Sequence, residues 1–80
     1  MLAFEITYAE AKRLTLDYLR DWLAKLPVAQ RNAPVIIFDM RSWSIPQLIS
    51  QVVMDSPIGK RFVYYYIGSL KRYVIKERLR

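Results

Sequence analysis

The feature that most constrains the fold is a segment from Tyr8 to Leu26 that contains neither Gly nor Pro and ends immediately before Pro27. Thr7 and Glu10 form a capping box at its start, in which each side chain accepts a hydrogen bond from the backbone amide of the other residue. Apolar residues recur at helical spacing along one side of the segment: Leu16, Leu19, Trp22, Leu23 and Leu26. The residue before a proline is disfavoured in a helix, so we predict a helix over residues 8–26.

Two short segments on either side of this helix have the composition of β-strands. Val35 to Phe38 is a run of four β-branched or aromatic residues that follows a loop bounded by prolines. Residues 2–6 alternate enough to be its partner, which would complete a small βαβ unit across the helix. We therefore predict strands over residues 2–6 and 35–39. The alternative for the second segment is a short helix over residues 33–41.

The second half of the chain contains two further helix starts. Ser44 and Gln47 form another capping box, with a proline in the first turn, which predicts a short helix over residues 45–54. An Asp-Ser-Pro sequence then ends this helix and begins the next one. Ser56 is its N-cap, and the last helix is predicted over residues 57–78.

Length and composition set further limits. A chain of 80 residues forms a single compact domain, residues 1–80, and the predicted elements make it mainly helical, of the α+β class. The absence of cysteine and histidine excludes a disulfide framework, a thiolate zinc site and histidine-based acid–base chemistry. The longest apolar run, Phe62 to Ile67, is far shorter than the roughly 20 residues of a membrane-spanning helix. We expect a cytoplasmic protein with no membrane partner.

The acidic residues do not form a recognisable catalytic group. Glu10 is used by the first helix cap, and Asp39 is close enough to Arg41 to form a local ion pair. Asp55 is most simply explained by the turn before the last helix. We therefore expect no enzymatic activity, no cofactor and no small-molecule substrate.

The net charge of +6 belongs entirely to the end of the chain. Residues 1–56 contain six basic and six acidic residues, whereas residues 57–80 contain seven basic residues and Glu77 as the one acid. The whole net charge therefore belongs to the predicted last helix.

The predicted last helix has an apolar side, which packs on the domain, and an outer side rich in cations. Tyr64 belongs to the outer side, because three consecutive tyrosines cannot all enter one core. The candidate nucleic-acid-binding residues are Lys60, Arg61, Tyr64, Lys71, Arg72, Lys76 and Arg78. Because cations neutralise phosphates and an exposed ring stacks on a base, the favoured hypothesis is largely non-specific binding of DNA or RNA.

Two alternatives remain open for this surface. Tyr and Arg are enriched at protein interfaces, so it also fits a protein–protein module, either a homodimer or a small subunit of a larger assembly. Gly68, on the outer side with Tyr64 and Ile75, would admit the close approach of another helix. The third explanation is a solvated basic face whose lysine and arginine stems shield apolar surface. The hydrophobic fraction of 54% is high for one small core, which independently predicts that a second copy covers part of the chain.

A separate hypothesis concerns the start of the last helix. Backbone amides near Gly59, together with Lys60 and Arg61, would hold a phosphate or a carboxylate. The alternative is that Gly59 lies in the first turn against a neighbouring helix.

Overall fold

The computed structural model describes residues 3–76, and this range contains three helices and four short strands. The helices are α1 (Tyr8–Lys25), α2 (Ile45–Val53) and α3 (Pro57–Leu70). The strands are β1 (Phe4–Ile6), β2 (Ile36–Phe38), β3 (Arg41–Trp43) and β4 (Tyr73–Ile75), and a 3-10 turn covers Val28–Gln30. The predicted mainly helical α+β class is confirmed.

The two capping boxes form as the sequence predicts, and they determine where α1 and α2 begin. The Thr7 hydroxyl accepts a hydrogen bond from the Glu10 amide at 3.1 Å, and the Glu10 carboxylate accepts one from the Thr7 amide at 2.9 Å. Ser44 and Gln47 make the same reciprocal pair at the start of α2. Because both caps depend on contacts within four residues, the two predicted helices are confirmed to within one residue at each end.

The strand pairing differs from the prediction. β1 does not pair with β2; it pairs in parallel with β4, so the predicted βαβ unit is wrong. The segment around β2 is a strand and not the alternative helix, and it turns back on β3 in a hairpin. The two turn residues, Asp39 and Met40, both adopt positive φ angles of 57° and 62°. Such turns usually have Gly at the second position, so this sequence carried no recognisable hairpin signal.

The last helix also ends earlier than the predicted range of 57–78. It stops at Leu70, because Lys71 adopts the left-handed conformation with φ 56° and its amide donates to the Gly68 carbonyl at 3.3 Å. The next residues favour a strand, and they find β1 as a partner, with the Lys76 amide donating to the Ile6 carbonyl at 2.7 Å. Helical periodicity cannot reveal that partner, since it lies at the opposite end of the chain. Residue 2 of the predicted first strand and residues 77–78 of the predicted helix lie outside the described residues.

The three helices pack around one core, and α2 and α3 are in close contact. The fully buried side chains include Leu19, Ile45, Leu48, Val52, Val63 and Ile67. α2 and α3 approach closely at Gly59, where a Cβ atom would overlap the backbone of Gln51. The Gly59 amide itself donates to Ser56 Oγ at 3.0 Å. These contacts favour the packing explanation of Gly59 over the anion-binding hypothesis.

Candidate nucleic-acid interface

The early end of α3 divides the predicted basic surface between three elements. Lys60, Arg61 and Tyr64 lie on α3, whereas Lys71 and Arg72 form the turn that connects α3 to β4. Lys76 directly follows β4, and Arg78 lies outside the described residues. The continuous helical face that the sequence predicted for these residues is therefore wrong.

A groove between α3 and β4 takes the place of that helical face. It is lined by Tyr64, Ile67, Gly68, Tyr73, Val74 and Ile75, and has a volume of about 250 Å³. We call it the α3–β4 groove. Because β4 folds back along α3, Tyr64, Gly68 and Ile75 still lie together, although through a strand and not through one helix. Tyr73 was not predicted as part of this surface, because in a helix that continues to residue 78 it lies on the apolar side that packs on the domain.

Four cations lie on the elements that form the α3–β4 groove. Lys71 and Arg72 are at the end where α3 turns into β4, and Lys76 is at the other end of β4. Lys60 precedes Tyr64 by one helical turn, which puts both residues on the same side of α3. Within residues 3–76, none of these four side chains forms an ion pair. We refer to them as the groove cations.

Arg61 differs from the groove cations because it is held by the hairpin. Its guanidinium donates to Asp39 Oδ2 at 3.0 Å, which links α3 to the β2–β3 turn. The predicted local pair between Asp39 and Arg41 is therefore wrong. Arg41 instead lies over the Trp43 ring, with its guanidinium carbon 5.1 Å from the ring centroid. Arg61 thus contributes less positive charge to the groove than its sequence position indicates.

The three consecutive tyrosines of α3 point in different directions. Tyr64 is 40% exposed, as predicted, and its ring stacks on Tyr8 with centroids 6.0 Å apart. Tyr65 is even more exposed, at 62%. Tyr66 turns inward and stacks on Tyr18 at 4.3 Å, and its partial burial raises the pKa of its hydroxyl.

A polar cluster lies where α1 meets the α2–α3 turn. Asp55, which has a positive φ of 56°, accepts hydrogen bonds from the Tyr8 hydroxyl at 3.3 Å and from Lys12 Nζ at 3.1 Å. Burial, reinforced by the charge of Asp55, raises the pKa of Tyr8 to about 12. The hydrogen bond from Lys12 lowers the pKa of Asp55, with a smaller contribution from the charge of Lys60. Asp55 therefore serves its turn, as predicted, and also ties that turn to α1.

A second surface, on the other side of α3, was not predicted from the sequence. It is a cleft of about 290 Å³ between α1, α3 and the hairpin, and we call it the aromatic cleft. Its lining includes Tyr18, Trp22, Ile37, Phe62, Tyr65 and Tyr66. These residues come from three elements far apart in sequence, so no local pattern brings them together. Only the abundance of aromatic residues in α1 and α3 gave a signal.

The structure adds two observations on other kinds of site. Residues 3–76 contain no group of three His, Cys, Asp or Glu side chains that could hold a metal ion. No helix in the same range is long and apolar enough to cross a lipid bilayer.

The geometry defines a small, mainly helical α+β domain with the α3–β4 groove, whose elements carry the groove cations, on one side of α3 and the aromatic cleft on the other. In comparisons with known proteins, no family model, curated protein or solved structure matches the chain. The function is therefore inferred from the residues of these two surfaces.

Proposed function

We propose that the protein binds nucleic acid through the α3–β4 groove. The observation that supports this proposal is the placement of the groove cations on the elements around a groove lined by two tyrosines. Because they form no ion pair within the described part of the chain, their charge is available to phosphates. The net charge of +6 adds a long-range attraction for a polyanion.

The groove favours a single strand over a duplex. Tyr64 and Tyr73 line the groove, and stacking on an aromatic ring needs bases that are not already stacked in a duplex. Stacking does not distinguish one base sequence from another, because every base has a π-face. We therefore expect largely non-specific binding, tighter for single-stranded DNA or RNA than for the corresponding duplex.

The groove cations provide the direct test. Arg72→Glu combined with Lys76→Glu reverses two of the four charges, so affinity should fall for every nucleic acid tested. Fluorescence-anisotropy titrations with single-stranded and duplex DNA and RNA at two salt concentrations measure this. Four phosphate contacts predict a slope of about −3 for log affinity against log salt on a single strand, and the variant should about halve it.

The matched control is Arg20→Glu combined with Arg31→Glu. Both arginines are exposed and lie outside the groove, and the change in net charge is the same. The control should keep most of the wild-type affinity. Equal losses in the two variants would show attraction by net charge alone, and no binding of any of the four nucleic acids at low salt would contradict the proposal.

A second candidate function is a protein–protein module, either a homodimer or a small subunit of a larger assembly. It is favoured by apolar side chains exposed on the hairpin side of the molecule. Ile37 is 82% exposed, Met40 98% and Tyr65 62%. Exposed apolar surface of this kind marks interaction sites in soluble proteins.

A further inference from the structure

The outer edge of β2 has backbone groups without a strand partner. In residues 3–76, β2 pairs on one side only, with β3. The two-residue turn is closed by the pair Phe38–Arg41, and bonded pairs alternate with non-bonded pairs along an antiparallel ladder. The next pair, Ile37–Ser42, is therefore non-bonded, so Ile37 directs its N–H and its C=O away from β3. These groups can accept another strand.

β2 is also the described strand with the least protection against such pairing. Charged residues on an edge strand normally prevent association with another strand. β1 contains Glu5, β3 contains Arg41, and β4 is flanked by Arg72 and Lys76. β2 and the residue before it are uncharged and entirely apolar, and Asp39, which follows β2, has its charge paired with Arg61. Two copies of β2 can meet without the repulsion that would separate two copies of β4.

Apolar side chains surround this edge. Ile37 and Met40 are almost fully exposed, Tyr65 is mostly exposed, and Val35 and Tyr18 are partly exposed. Exposed apolar side chains grouped in this way mark interaction sites on protein surfaces. Met40 makes this surface more unusual, because it occupies a left-handed position that favours Gly.

We propose that the β2 edge is a homodimer interface, in which β2 pairs antiparallel with β2 of a second copy about a two-fold axis at Ile37. The two Ile37 residues then exchange both of their N–H···O=C bonds, and a four-stranded sheet results. A second copy fits because an antiparallel pair of identical strands is self-complementary under two-fold symmetry. This inference deepens the homodimer candidate above and rests on it, while it is independent of nucleic-acid binding. The α3–β4 groove lies on the other side of α3 and stays available.

Charge pairing at position 37 tests the two-fold geometry. Ile37→Glu and Ile37→Lys should each weaken dimerisation by about 100-fold or more, since a two-fold interface carries every substitution twice and sets like charges opposite each other. An equimolar mixture of the two variants should associate again, because Glu then faces Lys across the axis. Sedimentation velocity from micromolar to millimolar concentration measures all three samples and the wild type.

Val28→Glu and Val28→Lys are the matched controls, since Val28 is equally exposed but lies on the 3-10 turn and not at the β2 edge. They should dimerise like the wild type. Amide hydrogen exchange at position 37 should slow with rising protein concentration in the wild type. It should stay fast in Ile37→Glu alone and in Ile37→Lys alone.

Three results would overturn the inference, and they are distinguishable. A wild type that stays at 9.5 kDa throughout removes the homodimer itself. Dimers that survive both Ile37 variants show that self-association uses another surface. Variants that are monomeric alone and also in the mixture show that position 37 does not face itself. In nucleic-acid titrations each Ile37 variant should bind like the Val28 variant of the same charge, so the two proposals fail separately.

Discussion

At the scale of single residues, Met40 shows a local conformation that its side chain does not favour. It lies in the left-handed region with φ 62° and is 98% exposed, so no contact within the described chain compensates for the strain. Left-handed conformations cost an L-residue about 1–2 kcal/mol, and Gly avoids this cost. The conformation is the one that the two-residue turn between β2 and β3 requires.

Replacement of this residue is the first stability prediction. Met40→Gly should raise the free energy of unfolding by about 0.5–1 kcal/mol, because relief of strain exceeds the added freedom of the unfolded chain. Urea denaturation at low protein concentration, where the monomer dominates, measures it. Met54→Gly is the control: Met54 is exposed but has φ −79°, so there Gly should lower stability.

At the scale of elements, the two glycines of α3 have opposite roles. Gly59 is buried where α2 and α3 touch, and a Cβ atom there would overlap the Gln51 backbone. Gly68 is exposed, and a Cβ atom there would meet nothing within 4 Å. The helix–helix contact therefore needs the first glycine but not the second.

Alanine substitutions at these two positions form a matched pair. Gly59→Ala should lower the free energy of unfolding by about 1–3 kcal/mol, because the backbone it meets cannot move aside. Gly68→Ala should raise it by about 0.5–1 kcal/mol, because alanine is the better helix former. Chemical denaturation measures the free energy of unfolding of both variants. A Gly59→Ala protein as stable as the wild type would contradict the close helix contact.

At the scale of the whole molecule, Asp55 connects α1 to the turn between α2 and α3. Its pKa is lowered in the folded state from the ordinary value of 3.8, chiefly by the hydrogen bond from Lys12. The folded state therefore holds the charged form more strongly than the unfolded state does. The resulting stabilisation is complete above pH 3.8 and is lost as the pH falls through the lowered, folded-state pKa.

Acid unfolding tests this connection. The wild type should lose stability on acidification below pH 3.8, and Asp55→Asn should lose less over the same interval, because its side chain does not titrate. Lys12→Gln should flatten the curve in the same way, and adding it to Asp55→Asn should change little more. Thermal denaturation at a series of pH values measures all four proteins. Parallel curves for the wild type and Asp55→Asn would show that the ion pair is not maintained in solution.

The sequence by itself determined the features that depend on neighbouring residues. Thr7 with Glu10 and Ser44 with Gln47 specify helix starts through contacts three residues apart, so α1 and α2 were predicted almost to the residue. The charge asymmetry and the mainly helical class were also predictable, since both follow from counting and periodicity. The basic residues of the candidate site were therefore identified before their arrangement was known.

The tertiary structure decided everything that depends on distant partners. β4 forms because β1, at the opposite end of the chain, offers it backbone hydrogen bonds, and this pairing overrides the helical pattern after Leu70. The same contact converts a predicted helical face into the α3–β4 groove. The aromatic cleft and the pairing of Arg61 with Asp39 arise in the same way. Helix caps are hydrogen bonds between residues three apart, so the sequence alone is enough to predict them. Strand pairing stabilises the protein only once the chain has brought distant segments together.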